Sequence, residues 1–159
     1  DAAGVAVNAL RPRAVLVVED SDEDFDTIRE AALQEARPVE LLHAGAVEDA
    51  WVQLRAARAR ELHPAFVLLD NNLPGRNGIE FLREVRADPA HRCLPVVMFT
   101  TSTSPRDRDG CYEAGANAYH VKSVRYDECI ATLRTIFGYW LGPVELPEPR
   151  RRRTETGAP

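Results

Sequence analysis

Five residues whose side chains could do chemistry stand directly after apolar runs. Glu19 and Asp20 follow Ala14–Val18, Asp70 follows Phe66–Leu69, Thr100 follows Val96–Phe99, and Lys122 follows Ala118–Val121. If those runs are parallel strands of one sheet, their carboxyl ends share an edge and the five side chains converge on one crevice. Three carboxylates gathered there repel one another, by roughly 4 kcal/mol per pair at about 4 Å and an effective dielectric near 20. Either one of them takes a proton or a cation neutralises the group. A donor set made only of oxygens suits Mg²⁺, which keeps several of its waters. No histidine or cysteine follows these runs, which disfavours zinc. Lys122 can balance phosphate charge, and the Thr100 hydroxyl can donate to a phosphoryl oxygen. The combination predicts phosphoryl transfer onto a carboxylate. Asp70 is the expected nucleophile, with the metal and Lys122 stabilising charge on the transferring group. Taken singly, each residue has an ordinary reading as a turn acid, a helix cap or a surface lysine. Their recurrence after the first, third, fourth and fifth runs distinguishes them.

Those positions require a particular frame. Ala14–Val18, Phe66–Leu69 and Val96–Phe99 are continuously apolar, as strands covered on both faces are. Val39–Leu42 and Ala118–Val121 each carry a polar residue, Glu40 and His120, which suits sheet edges. Between the runs the period becomes helical. Phe25, Ile28, Ala32 and Leu33 form a stripe behind Ser21-x-x-Asp24, a pattern like a capping box. Val47, Ala50, Trp51, Leu54 and Ala57 form a second stripe, and Ile79, Leu82 and Val85 a third behind Asn77, an expected cap. Ser104-Pro105-x-Asp107 combines a cap, proline at the first helical position and an acid in the first turn. Tyr126, Ile130, Leu133, Phe137 and Trp140 mark a last, long helix. Five alternations of strand and helix predict an α/β domain: a doubly wound, five-stranded parallel sheet in the order 2-1-3-4-5.

Composition narrows the function classes. The 159 residues make room for one domain and a tail, and the net charge of −5 gives no general affinity for nucleic acid or an anionic membrane. No apolar run approaches the ~20 residues that cross a bilayer, and Asp1 to Leu10 lacks the pattern of a signal peptide. Cys93, Cys111 and Cys129 are sparse and widely spaced, which predicts reduced thiols in a cytoplasmic protein. His43, His63, His91 and His120 are scattered, and no GxxxxGK or GxGxxG phosphate motif appears. Arg150–Arg153 reads as a solvated tail.

With these residues in place, the chain resembles a response-regulator receiver domain of two-component signalling, a flavodoxin-like fold. Four motifs carry the resemblance: VLVVEDSDED at Val15–Asp24, VLLDNNLPGRNG at Val67–Gly78, LPVVMFTTS at Leu94–Ser102, and EAGANAYHVKS at Glu113–Ser123. It implies phosphorylation of Asp70 by a sensor histidine kinase. Mg²⁺ would be held by Asp20 and Asp70, by Glu19 through water, and by the Asn72 backbone carbonyl. Thr100 and Lys122 would bind the phosphoryl group, and Tyr119 would be the aromatic that turns inward when Thr100 moves. Gly78 matches a family glycine where a positive φ is expected. Ser123 stands where many receivers carry a proline joined by a cis bond. The segment IFGYWLGPVELP, Ile136 to Pro147, resembles the end of single-domain regulators paired with phytochrome-type histidine kinases. That group tends to form homodimers through the fifth-helix region, here Phe137, Tyr139, Trp140 and Leu141. The expected layout is an N-terminal extension over 1–12, the receiver domain over 13–141 and a tail over 142–159. Two other classes stay open: a Mg²⁺-dependent phosphohydrolase with an aspartyl-phosphate intermediate, and a degenerate receiver that only binds. Asn72, where such hydrolases usually carry an acid, and the intact Asp70, Asp20, Thr100 and Lys122 weigh against these two.

Overall fold

A computed structural model describes residues 13–148. The chain alternates β1 (Arg13–Val18), α1 (Asp22–Leu33), β2 (Val39–Ala44), α2 (Val47–Ala59), β3 (Phe66–Leu69), α3 (Gly78–Ala87), β4 (Val96–Thr100), α4 (Pro105–Glu113), β5 (Ala118–Val121) and α5 (Tyr126–Trp140). The strands form one sheet in the order β2-β1-β3-β4-β5, with every neighbouring pair parallel. The two strands with polar interruptions are the edges, as the sequence predicts.

Why the central strands are apolar throughout is visible in the packing. Leu16, Val18, Val67, Leu69, Val96 and Met98 face α2, α3 and α4, where Leu54, Phe81, Leu82, Val85 and Cys111 complete one core. Val15, Val17, Phe66, Leu68, Val97 and Phe99 face the opposite way, onto Ile28, Ala31, Leu133, Ile136 and Phe137 of α1 and α5. Each face is therefore covered, and alternation has no solvent side to report.

Helix starts follow the capping chemistry. Ser21, Asn77 and Ser104 each accept a hydrogen bond from the backbone N–H three residues on, and Pro105 opens α4. Two stripe assignments are corrected. Leu33 is 75% exposed, because α1 turns Ala31 rather than Leu33 to the core. Tyr126 is also exposed, and Ile136, outside the expected stripe, is buried. The tail does touch the domain where it is described. Residues of 142–148 line a cavity of about 710 Å³ at the amino ends of the strands, beside Arg13, Leu54 and Trp140. Arg13 donates to the Leu141 and Arg37 carbonyls at 2.8 and 3.1 Å. The segments 1–12 and 149–159, including Arg150–Arg153, lie outside the described residues. No helix among the described residues is long and apolar enough to cross a membrane. All three cysteines are free thiols.

Candidate functional site

Among the described residues, the buried polar or charged ones are Glu19, Asp70, Thr100 and Lys122. All four sit at the carboxyl ends of β1, β3, β4 and β5. Burial of charge is costly unless it is paired, so a fold that gathers its buried charges at one edge concentrates its polar chemistry there. The backbone fixes each position. Glu19 N–H donates to the Ala44 carbonyl at 2.9 Å, Asp70 N–H to Val18 at 3.0 Å, and Lys122 N–H to Thr100 at 2.7 Å. The side chains follow from the strand ends.

Lys122 is the hub. Its Nζ lies 2.5 Å from Glu19 Oε2, 2.9 Å from Asp70 Oδ2 and 2.9 Å from Asp24 Oδ2. Asp70 Oδ1 accepts from the Asn72 backbone N–H at 3.0 Å, and Glu19 Oε1 from the Ser21 N–H at 3.1 Å. Burial raises the Glu19 carboxyl to about 7; the nearby Asp70 charge pushes the same way, against the pull of Lys122. Burial alone would lower the Lys122 ammonium, but its bonds to Glu19 and Asp70 outweigh that and raise it.

Glu19, Asp20 and Asp70 each present a carboxylate oxygen within 4.8 Å of the others. Two oxygens on one Mg²⁺ at ~2.1 Å can stand at most about 4.2 Å apart, so a small inward movement gives a common cation three ligands. One ammonium faces Glu19, Asp24 and Asp70, with Asp20 close by, so Lys122 alone does not neutralise the group. The residues fit a hard divalent cation. Asn72 is exposed, and its backbone N–H faces Asp70.

Thr100 is fully buried, and its Oγ1 accepts from the Ser102 N–H at 3.5 Å. Tyr119 donates its hydroxyl to the Ser102 carbonyl at 2.9 Å, while Ser102 Oγ donates to Asp107 at 2.6 Å. Tyr119 thus packs inward, against the core, tied to the same loop residue as Thr100.

Two sequence expectations change here, and one point that the sequence left open is settled. Gly78 has no positive φ; its reason is proximity. A Cβ there would lie 2.4 Å from the Asp70 carbonyl oxygen and 2.9 Å from Asn71 Cα. The Lys122–Ser123 peptide is trans, since no described peptide bond is cis. Of the four residues expected at a dimer surface, Phe137 is fully buried in its own core, and Trp140 and Leu141 pack against that core. Tyr139 alone of the four is exposed, at 51%. The residue that sequence reasoning missed is Asp24. It was visible as the acid of the capping pattern, but a short helical spacing says nothing of a lysine 98 residues away.

The chain matches the family model of the response regulator receiver domain over residues 15–134. It is 33% identical over 138 residues to response regulator Rcp1 of Synechocystis, covering 86% of this chain and 94% of that one. It is 32% identical to the probable methanogenesis regulatory protein FilR2 of Methanothrix harundinacea, over 92% of this chain and 95% of the relative. The crystal structure of the phosphorylated cyanobacterial phytochrome response regulator RcpA superposes with a TM-score of 0.81 at 30% identity, over 87% of this chain and all of that one. The Mn²⁺-bound form of Rcp1 superposes at 0.78, covering 86% and 100%. Sheet order, the acids at the strand ends and these likenesses agree: the chain belongs to the response-regulator receiver family.

Proposed function

We propose that the chain is a phosphoacceptor switch in which Asp70 takes a phosphoryl group from a sensor histidine kinase. The observation that carries this reading is the Asp70 carboxylate, buried, oriented by Asn72 N–H and held 2.9 Å from Lys122 Nζ beside two further acids. An Asp70 oxygen attacks phosphorus, the P–N bond of the phosphohistidine breaks, and the imidazole leaves with that electron pair. Lys122 holds charge on the phosphoryl oxygens, and the Thr100 hydroxyl donates to one of them. Asp20, Asp70 and the Asn72 carbonyl, with Glu19 through water, would hold Mg²⁺, which when bound would add positive charge at the transferring group. Movement of Thr100 pulls on the Ser102 junction to which Tyr119 is tied, so α4, β5 and α5 repack and a partner reads the change.

The kinase is of the phytochrome type, and the reading is supported by the likeness to RcpA and Rcp1 and by the segment Ile136–Pro147. Two copies pair through the α5 region, where Tyr139 stays exposed near the carboxyl end of the helix. Light scattering of Tyr139→Ala beside the parent tests the pairing, and an unchanged monomeric mass in both refutes it.

Incubation with acetyl phosphate and Mg²⁺, read by intact mass, tests the central claim. The expected result is one base-labile phosphoryl group, absent from Asp70→Asn and with EDTA. Turnover of many phosphoesters per chain would replace this reading with a phosphohydrolase. A chain that no small donor or histidine kinase modifies would be a binding module.

A further inference from the structure

The phosphoacceptor reading leaves one member of the cluster without a task. Asp24, in the first turn of α1, places Oδ2 2.9 Å from Lys122 Nζ, while its backbone N–H is capped by Ser21 Oγ at 3.2 Å. An ammonium has three N–H donors. Lys122 directs them at three carboxylates, Glu19 at 2.5 Å, Asp24 at 2.9 Å and Asp70 at 2.9 Å. A phosphoryl oxygen arriving at Asp70 therefore finds no uncommitted N–H on the lysine. One partner has to give way.

The three partners differ in what leaving costs. The Glu19 side chain is 3% exposed and that of Asp70 8%, so neither carboxylate reaches water on release. Asp24 is 42% exposed, and its oxygens can turn to solvent. Asp70 gives only one oxygen to phosphorus, and its other oxygen can still accept from Lys122. The exchange falls on Asp24.

We infer that Asp24 is a positioning residue that holds the Lys122 ammonium over the cluster in the resting state and competes with the incoming phosphoryl group for it. The inference rests on the phosphoacceptor reading of Asp70. It involves no covalent step of its own: one N–H···O bond to Asp24 is exchanged for one to a phosphoryl oxygen. Removing the negative charge at position 24 loosens the hold on that Lys122 N–H, which can then turn to the phosphoryl group, and removes a competing anion. Phosphorylation then becomes faster, the opposite of what damage to the site would do.

The test compares initial rates with acetyl phosphate and Mg²⁺ for the parent, Asp24→Asn, Asp24→Ala and Asp22→Asn, by intact mass. Asp22 is an exposed acid of the same turn, so Asp22→Asn reproduces the change in net charge. Asp24→Asn and Asp24→Ala are expected to run roughly threefold to fivefold faster than the parent, the range a partly exposed ion pair supports. Asp22→Asn should stay within about twofold of the parent, its charge being screened. If Asp24→Ala fails to fold, the isosteric asparagine variant decides. Asp24→Asn at or below the rate of the parent or of Asp22→Asn overturns the inference and leaves the phosphoacceptor reading standing. A parent that takes no phosphoryl group from any donor overturns both.

Discussion

Replacing Gly78 by alanine sets two well-characterised effects against each other at the foot of the loop that carries Asp70. Alanine is the better helix former, by up to about 1 kcal/mol in a helix interior, and on that ground alone the substitution would stabilise α3. The structure opposes it. The new Cβ would stand 2.4 Å from the Asp70 carbonyl oxygen, 2.9 Å from Asn71 Cα and 3.1 Å from the Asp70 carbonyl carbon. All three are backbone atoms, so no side chain can swing aside. Nor can the helix slide freely, because Gly78 N–H donates to the Asn71 carbonyl at 3.0 Å and Ile79 N–H to Asn71 Oδ1 at 3.2 Å. Relieving such an overlap costs about 1–3 kcal/mol, which exceeds the propensity gain. The expected net loss is about 0.5–2 kcal/mol in urea denaturation, with an unchanged slope. Because the strain is relieved through Asp70 itself, phosphorylation by acetyl phosphate should slow as well. Gly138 is the internal control: it is exposed in α5 and a Cβ there meets nothing within 4 Å. Gly138→Ala should gain up to about 1 kcal/mol. A Gly78→Ala variant as stable as the parent would refute the close-approach argument.

Other expectations follow from the same geometry. Lys122→Met leaves Glu19 and Asp70 buried without their cation, a loss of about 3–5 kcal/mol where nothing compensates. The Glu19 carboxyl, already raised to about 7, takes up a proton as pH falls and relieves part of that loss. Denaturation should therefore show a larger deficit at pH 8 than at pH 6; equal deficits would contradict it. Burial lowers the His120 imidazole, so the folded state favours the neutral ring and the unfolded state binds the proton more tightly. Stability from this group is present above the unfolded value, about 6.5, and lost as pH drops through and below it. His120→Gln should flatten the acid side of the stability curve relative to the parent. Arg86 donates to the Gly115, Arg92 and Leu94 carbonyls and to Asn117 Oδ1, at 2.7 to 3.1 Å. A lysine lacks that planar fork, so Arg86→Lys should lose about 1–3 kcal/mol in the same assay.

Why some features were legible and others hidden follows from the range of the interactions. Strand positions were readable because burial on both faces leaves an uninterrupted apolar run, and Phe66–Leu69 coincides with β3 to the residue. Caps at Ser21, Asn77 and Ser104 were readable because the bond spans three residues. The convergence of Glu19, Asp70 and Lys122 needed only the inference that the strands are parallel. Asp24 was hidden, since its partner comes from the last strand and nothing local marks it. The role of Gly78 was hidden for a related reason: conformational freedom and close approach both call for glycine, and only the packed loop tells them apart. Phe137 was misplaced because an apolar helix face looks the same in sequence whether it meets its own sheet or another molecule.

The charges at this edge are only partly balanced. Lys122 faces Glu19, Asp24 and Asp70, and Asp20 stands close by in the open. Four acids against one ammonium leave a shortage of positive charge, which a divalent cation would make up. An aspartyl phosphate carries about −1.5 to −2 charges in place of the carboxylate's single one, and a lysine whose donors are all engaged cannot meet the new oxygens without releasing an acid. Glu19 has nowhere to go. On the phosphoacceptor function proposed above, the response would run outward, along α1 through Asp24 and along the β4–α4 loop through Thr100, Ser102 and Tyr119. Full neutralisation would leave the edge inert, with no need for a cation and no group obliged to move. An unpaired cluster would destabilise the fold. Between these limits, a phosphoryl group taken up by Asp70 as proposed would displace another group at the surface, a change open to detection by a partner.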